Sequence, residues 1–370
     1  MDLWGHEDVG VRRLILEHYR NYRLLDLSLG PGFNVLTGKN AQGKTNILEA
    51  LYLLSSTRLL RGSKDSEAIL EGEQAASLKA EVQPHGSVLG LSFGIGSRKK
   101  ATLNGMSLPR AADLIGRLPS VCITAEDLSL VRGEPSDRRL FFDIELSSRY
   151  PSYLRDLTVY KRALEQRNAL LKQAQDQRID ASLFEPWEME LAEHGTRIRV
   201  ARETLVVNLQ PISAEFHQWM GERENLSLRY MAKDDGQSQA ELYRLYSESR
   251  HEEIRRGATA MGPHRDDLAI LIDGRDVRHY GSQGQQRTSV IAIKMATLRL
   301  AALETGSAPL LLLDDILSDL DEHRRQALTE LVVRECAQAV LTCTEASAAG
   351  PAILDKAIVF KVNAGTVSMQ

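Results

Sequence analysis

Apolar residues recur along this chain at two different periods, and the change of period divides it into three parts. The first is strand-like. Val11–Leu16 and Leu24–Leu29 are short β-branched and leucine-rich runs on either side of a turn at Arg20-Asn21-Tyr22. Leu78–Val82, Val88–Gly94 and Ala101–Leu103 continue the pattern, with Asn104-Gly105 marking a hairpin turn, and Ser120–Thr124 is one more apolar run. Between them Phe33–Leu36 predicts a strand and Asn46–Leu54 a helix with Ile47, Leu51 and Leu54 on its inner face.

From about Ser136 to Gly221 glycine becomes rare and a helical period takes over. Leu157, Leu164 and Leu171 are seven apart, as are Leu191, Ile198, Leu205 and Ile212 after a break around Ile179–Glu185. Pro186 suits the first turn of the second helix, where its missing N–H costs little. Two such rows predict an antiparallel helical hairpin. The flanking row Leu154, Lys161, Asn168 is mostly polar, so a short packed arm is expected rather than a long rod. Helices of roughly 28 residues would reach only ~40 Å. An ordinary helical subdomain fits the same pattern.

The third part is α/β again. Leu226–Met231, Ala269–Ile272, Ala339–Thr344 and Ala357–Val362 read as strands, and Gln285–Leu303 and Glu322–Cys336 as helices. Leu310–Leu313 is apolar at every position, as in a parallel strand buried on both faces. The expected organisation is an α/β head split in sequence, residues 1–135 and 226–370, around a helical arm at 136–225.

The segment joining the Phe33 strand to the Asn46 helix reads Gly38-Lys39-Asn40-Ala41-Gln42-Gly43-Lys44-Thr45, the full G-x-x-x-x-G-K-[ST] phosphate-binding loop in its required strand–loop–helix setting. Gly38 and Gly43 let the backbone wrap an anion, and loop N–H groups and the helix N-terminus face it. Lys44 is placed for β- and γ-phosphates and Thr45 for Mg²⁺. Such a loop needs a carboxylate on a neighbouring strand. Asp314-Asp315, closing the leucine run, supplies Asp314 for Mg²⁺ and Asp315 to orient or deprotonate water.

Ser282-Gln283-Gly284-Gln285-Gln286-Arg287 opens a helix that Ser282 can cap, and Ser318-Asp319-Leu320-Asp321 follows the Asp pair. The order phosphate loop, Ser-x-Gly-Gln, apolar-Asp-Asp, Ser-x-Leu-Asp resembles Walker A, signature, Walker B and D-loop of ABC-type ATPase heads. The helical insert places the resemblance in the SMC-like branch. Tyr19-Arg20-Asn21-Tyr22, Glu126–Pro135 with Arg138, Arg139 and Asp143, and Gly262-Pro263-His264-Arg265-Asp266-Asp267-Leu268 narrow it to the RecF family of recombination mediators, over about residues 10–368. Departures are Ala125 where the family has proline, Asp315 where ABC heads commonly use glutamate, no histidine within Thr342–Glu345, and an N-terminal extension carrying Trp4 and His6, to which no role is assigned.

The resemblance implies two ATP molecules sandwiched between two copies of the chain. Gly38–Thr45 would hold ATP·Mg²⁺ in one copy, and Ser282, Gly284 and Gln285 of the other would meet its γ-phosphate. Asp321 would read the partner across the same interface. Glu126 and Asp127 are candidates for a sensor loop. It further implies slow ATP hydrolysis as a release step, binding to single-stranded, gapped or junction DNA, and RecR- and RecO-type partners in loading recombinase. Roles in replication-fork maintenance and SOS induction come with it.

Charge limits how DNA can be met. The chain of 370 residues carries a net charge of −4, so no global basic field exists and contacts must be local. Arg58, Arg61 and Lys64 form one candidate patch and Arg98, Lys99 and Lys100 another; either also reads as a solvated face. His264, Arg265 and Asp266 fit a polar network supporting the nucleotide or a structural turn. Cys122, Cys336 and Cys343 form no C-x-x-C pair and the N-terminus has no signal-peptide pattern, so a cytoplasmic protein is expected. Other readings are the ATPase subunit of a membrane transporter, a DNA-bridging structural SMC-type protein, and, least supported, a small-molecule P-loop kinase.

Overall fold

The computed structural model describes residues 9–62, 64–221 and 223–370; Trp4 and His6 lie outside them. The chain divides into two compact units. The first comprises residues up to Asp127, Ile212–Asn225 and Arg287–Gln370, and the second Leu128–Pro211 and Leu226–Gln286.

In the first unit β1 (Gly10–Tyr19), β2 (Tyr22–Ser28), β3 (Phe33–Thr37), α1 (Lys44–Ser56), β4 (Ala75–Gln83), β5 (Ser87–Gly94), β6 (Lys100–Leu103), β7 (Met106–Ser107) and β8 (Ser120–Ile123) come first in the chain. The second unit follows with α2 (Ser129–Arg132), α3 (Pro135–Arg149), α4 (Pro151–Asp176), α5 (Glu185–Trp219), whose residues from Ile212 onward belong to the first unit, β9 (Leu226–Met231), α6 (Gln239–Arg256), β10 (Asp267–Ile272), β11 (Arg275–Asp276) and α7 (Val277–Tyr280). Helix α8 (Gln283–Thr305) leads back to β12 (Leu310–Asp314), α9 (Glu322–Glu335), β13 (Ala339–Cys343), α10 (Pro351–Leu354), β14 (Ala357–Asn363) and β15 (Thr366–Met369).

Two six-stranded sheets build the first unit: an antiparallel one in the order β2-β1-β4-β5-β6-β7, and one in the order β15-β14-β3-β13-β12-β8 that is parallel except for the β14–β15 hairpin. Helix α1 packs against strands of both. This explains its sequence: Ile47, Leu48, Ala50, Leu51, Leu53 and Leu54 point all round the helix and all are fully buried. Each such leucine contributes roughly 1.5–3 kcal/mol. The leucine run of β12 is buried at every position, as its composition predicts. Strand β13 lies between β3 and β12, pairing Thr342 with Asp314 on one side and with Leu36 on the other. The C-terminal ends of these parallel strands open together, the usual ligand edge of such sheets.

The second unit differs from the expected arm. Residues 226–286 join it instead of the C-terminal head piece, because β9, β10 and β11 pair only with one another in a separate three-stranded sheet. The heptad row is also interrupted. On α4 the buried face runs through Tyr153, Leu157, Tyr160, Ala163, Arg167 and Leu171, while Leu164 is half-exposed. This face meets side chains of α5 and α6, as in a helical subdomain rather than a two-helix seam. Among the described residues no helix is long and apolar enough to cross a membrane. Cys122, Cys336 and Cys343 are buried and unpaired.

Candidate nucleotide site

Residues 38–43 form a tight loop between β3 and α1. Gly38 has φ 144° and Gly43 φ 112°. A Cβ on Gly38 would come within 2.3 Å of the Val362 carbonyl oxygen, so glycine is required there by contact as well as by φ. A Cβ on Gly43 would fall 2.6–2.8 Å from Asn21 and Tyr22 side-chain atoms. These neighbours belong to the Tyr19–Tyr22 motif, and their task is visible. Tyr22 Oη donates to the Gly43 carbonyl at 3.1 Å, Asn21 Nδ2 to Gln42 O at 3.1 Å, and Asn46 Nδ2 to Asn21 Oδ1 at 2.8 Å.

The other half of the motif grips the back of α1. Glu49 is 2 % exposed and accepts from Tyr19 Oη at 2.9 Å, from Arg20 Nε and Nη2 at 2.7 and 2.8 Å, and from the Arg61 main-chain N–H at 3.1 Å. Arg20 Nη2 also donates to the Arg61 carbonyl at 3.0 Å. Glu49 therefore fixes the β1–β2 turn, α1 and the loop after α1 to one point. Burial and the Glu49 charge push the Tyr19 phenol well above its ordinary range.

Lys44 Nζ donates to Gly38 O and Lys39 O at 2.5 and 2.9 Å. Burial holds its pKa below the ordinary lysine value, partly offset by Asp315 and Asp314. Thr45 Oγ1 donates to Asp314 Oδ1 at 2.8 Å, and Thr342 Oγ1 donates to the same oxygen at 2.8 Å. Thr342 also accepts from the Asp315 N–H at 2.9 Å, which joins both aspartates to β13. Asp315 takes left-handed backbone, φ 53°, and its carboxylate accepts from Ser318 Oγ at 2.7 Å. A threonine hydroxyl beside a carboxylate oxygen is the hard-oxygen pair that fits Mg²⁺ in company with phosphate oxygens. Among the described residues no cluster of histidine, cysteine and acidic side chains forms a separate metal site.

Two candidates change place. Arg61, expected on a DNA patch, reaches into this cluster, with Nη2 3.2 Å from Asp314 Oδ2 and Nε 3.4 Å from Glu126 Oε1. Asp127 is a local cap: its carboxylate accepts from Thr124 N and Oγ1 and lies 3.5 Å from Lys294. Of the sensor pair, Glu126 is the exposed residue that faces Arg61. Asp321 caps α9, where the Arg324 N–H holds its carboxyl below the usual range. Arg287 ties α8 to the D-loop segment through Asp319, donating to its carbonyl at 2.7 Å.

Ser282, Gly284 and Gln285 lie in the second unit, at the start of α8. Ser282 N donates to Gln285 Oε1 at 2.7 Å and Gln285 N to Ser282 Oγ at 3.2 Å, a reciprocal cap. Gln286 is buried, donating to Val277 O at 3.0 Å and accepting from Arg132 Nε at 2.5 Å. The Gly262–Leu268 motif is a polar network within the second unit. Asp266 takes Arg199 bidentately at 2.7 and 2.9 Å and Tyr230 Oη at 2.7 Å, and Asp267 takes Arg138 at 2.6 and 2.9 Å. His264 Nε2 lies 3.1 Å from the Thr259 carbonyl and Nδ1 2.6 Å from Tyr160 Oη, so Nε2 donates and Nδ1 accepts. Burial pushes its pKa down to about 4.

The two basic patches form one surface. Lys99 Nζ donates to Thr57 O at 2.8 Å and pairs with Asp65 at 2.7 Å, binding the 98–100 hairpin to the 57–65 loop. Lys99 is thereby committed to structure. Arg58, Lys64, Arg98 and Lys100 remain exposed around it, without ion-pair partners among the described residues.

The family described as RecF/RecN/SMC N terminal domain matches residues 10–366. "DNA replication and repair protein RecF" of Symbiobacterium thermophilum is 43% identical over 343 residues, covering 90% of this chain and 90% of that one. The protein of the same name from Limosilactobacillus fermentum is 38% identical over 370 residues, covering 97% and 99%. A solved structure of the recombination mediator protein RecF-ATP in the RecFOR pathway superposes with a TM-score of 0.90 at 30% identity, covering 99% of each chain. An Smc head domain from Pyrococcus furiosus shares the fold, with a TM-score of 0.55 at 16% identity over 98% of this chain and 96% of that one.

Proposed function

We propose, from the premise that this chain belongs to the RecF family within the RecF/RecN/SMC group, that it is an ATP-driven dimer of recombinational DNA repair. It binds single-stranded, gapped or junction DNA in the cytoplasm, with RecR- and RecO-type partners in loading recombinase, and supports replication-fork maintenance and SOS induction. Slow ATP hydrolysis acts as the release step. The observation that carries the reading is the cluster in the first unit, where the glycine loop, Lys44, Thr45, Asp314 and Asp315 converge at the ends of β3 and β12.

In this reading the main-chain N–H groups of residues 38–45 and the Lys44 ammonium hold the β- and γ-phosphates. Thr45 and Asp314 hold Mg²⁺, which supplies charge neutralisation on the phosphate oxygens. Asp315, fixed by Ser318 and Thr342, orients or deprotonates the attacking water. Arg61, already at Asp314 and Glu126, stands where a cation can follow the charge on a γ-phosphate. Ser282, Gly284 and Gln285 present a capped helix start to the nucleotide of a second copy, so ATP favours the dimer by binding it better than the monomer. The exposed cations Arg58, Lys64, Arg98 and Lys100 meet the DNA backbone.

Sedimentation with and without ATP and a gapped duplex tests this. The wild type should shift to a dimer on ATP and co-sediment with the duplex. Lys44→Ala should lose ATP binding and the shift, whereas Ser282→Arg should keep ATP binding and lose the shift. A Ser282→Arg protein that still dimerises on ATP would falsify the sandwich.

A further inference from the structure

The second unit contains a cleft of about 570 Å³, well apart in sequence from the glycine loop. Its wall carries Arg139 from α3, Lys233 just after β9, Arg256 at the end of α6 and Arg265 of the Gly262–Leu268 motif. Among the described residues Glu134 is its one carboxylate, and it pairs with Arg278 at 2.8 Å. Arg256 has an exposed partner one helical turn back, Glu252. The other three cations have no ion-pair partner among the described residues. Arg139 Nη1 donates to the Asp266 carbonyl at 3.0 Å, and Arg265 Nε and Nη2 to the Thr259 carbonyl at 3.2 and 2.9 Å. The Lys233 ammonium is exposed and has no ion-pair partner among the described residues. The buried Asp266 carboxylate is occupied by Arg199, Tyr230 and the Lys233 main-chain N–H.

A guanidinium steered by a carbonyl keeps its charge and leaves N–H edges open in a fixed direction. That is the geometry a phosphate oxygen takes up. Burial and the neighbouring Arg202 and Arg265 hold Arg139 below the ordinary arginine value, with Asp267 and Asp143 offsetting this only in part, so the wall is short of anions. Among the described residues no aromatic ring lines the cleft, so they offer no platform on which a base could stack. Its apolar residues, Pro135, Ala258 and Ala260, are too small to anchor a peptide side chain.

We propose that this cleft is a second phosphate site, which takes phosphodiesters of the DNA backbone without reading sequence. The proposal rests on the DNA-binding reading above, and adds to it a contact surface outside the ATPase unit. Fluorescence anisotropy of a labelled duplex over a salt series, on the full chain with ATP, measures it directly. The triple variant Lys233→Ala/Arg256→Ala/Arg265→Ala should bind DNA roughly tenfold or more weakly near physiological salt. Its slope of log K against log salt should be shallower by ~0.9 for each phosphate that is no longer neutralised. The double variant Lys233→Ala/Arg256→Ala alters only exposed side chains and should show a smaller effect of the same kind. Swapping lysine and arginine (Lys233→Arg/Arg256→Lys) should restore the slope.

Calorimetry with inorganic pyrophosphate, the glycine loop filled by a non-hydrolysable ATP analogue, separates the sources of phosphate. Loss of pyrophosphate binding in the triple variant with DNA affinity and salt slope unchanged would assign the cleft to a free anion and overturn the DNA proposal. No change in either measurement would overturn the site itself. A wild type that binds no duplex at all overturns the DNA-binding reading, and this outcome is distinct from duplex binding that ignores the cleft.

Discussion

Replacing Glu49 with alanine removes one carboxylate on which the β1–β2 turn, α1 and the Arg61 loop converge. The residue is 2 % exposed and accepts from Tyr19 Oη, Arg20 Nε and Nη2, and Arg61 N. Truncating one partner of a buried ion pair costs about 3–5 kcal/mol, because the remaining charge stays desolvated. The Arg20 side chain is 19% exposed, so water relieves part of that cost and the expected loss sits near the lower end, about 3 kcal/mol. Tyr19→Phe removes one hydrogen bond and leaves the carboxylate its other donors, for about 1 kcal/mol.

Trp219 belongs to the first unit and packs under Arg334, with the guanidinium carbon 4.4 Å from the ring. In a Trp4→Phe/Trp187→Phe background its fluorescence follows urea unfolding of that unit. ATP affinity should fall together with stability, since the same carboxylate places the loop carrying Arg61. A Glu49→Ala loss no larger than that of Tyr19→Phe would refute the claim that Glu49 is the shared anchor.

Arg61→Ala should lower ATP turnover by roughly tenfold or more while changing DNA affinity less than Lys64→Ala or Arg98→Ala does; the reverse pattern would return Arg61 to the DNA surface. Asp315→Asn should slow turnover by about 10²–10⁴-fold and retain an ATP-bound dimer on a sizing column, and undiminished turnover would remove Asp315 from catalysis. His264 is held neutral with a folded pKa of about 4 against an ordinary 6.5. Between these values the unfolded chain binds the extra proton. Stability is therefore full above pH 6.5 and falls as pH drops towards 4, by about 3 kcal/mol for this group. His264→Gln, which keeps one donor and one acceptor, should flatten that part of a Tm-against-pH curve; an unchanged curve in the variant would exclude His264 as its source.

Local chemistry makes part of this protein readable from its sequence. The glycine loop is legible because an anion cradle demands positive φ and close backbone contact at Gly38 and Gly43. The strand ending in Asp314 is legible because a run that is apolar at every position suits burial on both faces. What escapes a sequence reading depends on partners far away in the chain. Arg61 and Asp314 are 253 positions apart, and nothing in an Arg-x-x-Lys spacing separates a carboxylate partner from a phosphate one. The same limit hides Lys99, whose contact with Thr57 and Asp65 joins two expected patches. The expected boundary at 226 puts residues 226–286 in the wrong unit because an alternating strand does not state which sheet it enters. Helix α6 goes unpredicted although its start is written out, with Ser238 and Glu241 forming a capping box.

Arg167 explains why the heptad row on α4 gives a partial picture, and it connects the packing of the second unit to its surface. The guanidinium has five N–H donors, and each has an acceptor: Nε and Nη2 on Glu188 Oε1, Nη1 on Glu253 and Thr259 Oγ1, and Nη2 on Tyr246 O. The residue is fully buried, so any misplaced acceptor would leave a desolvated charge at a cost of several kcal/mol. The arrangement is satisfied only when α4, α5, α6 and the Thr259 segment are all in register. It therefore selects one packing of these helices more than it adds net stability, and it displaces Leu164 from the seam that leucine spacing alone would choose. Its consequence reaches outward through Thr259. With Oγ1 held by Arg167, the carbonyl of the same residue is fixed, and it is this carbonyl that orients both His264 and Arg265. A buried charge thus sets the direction of an exposed one, the Arg265 guanidinium on the cationic wall of the cleft.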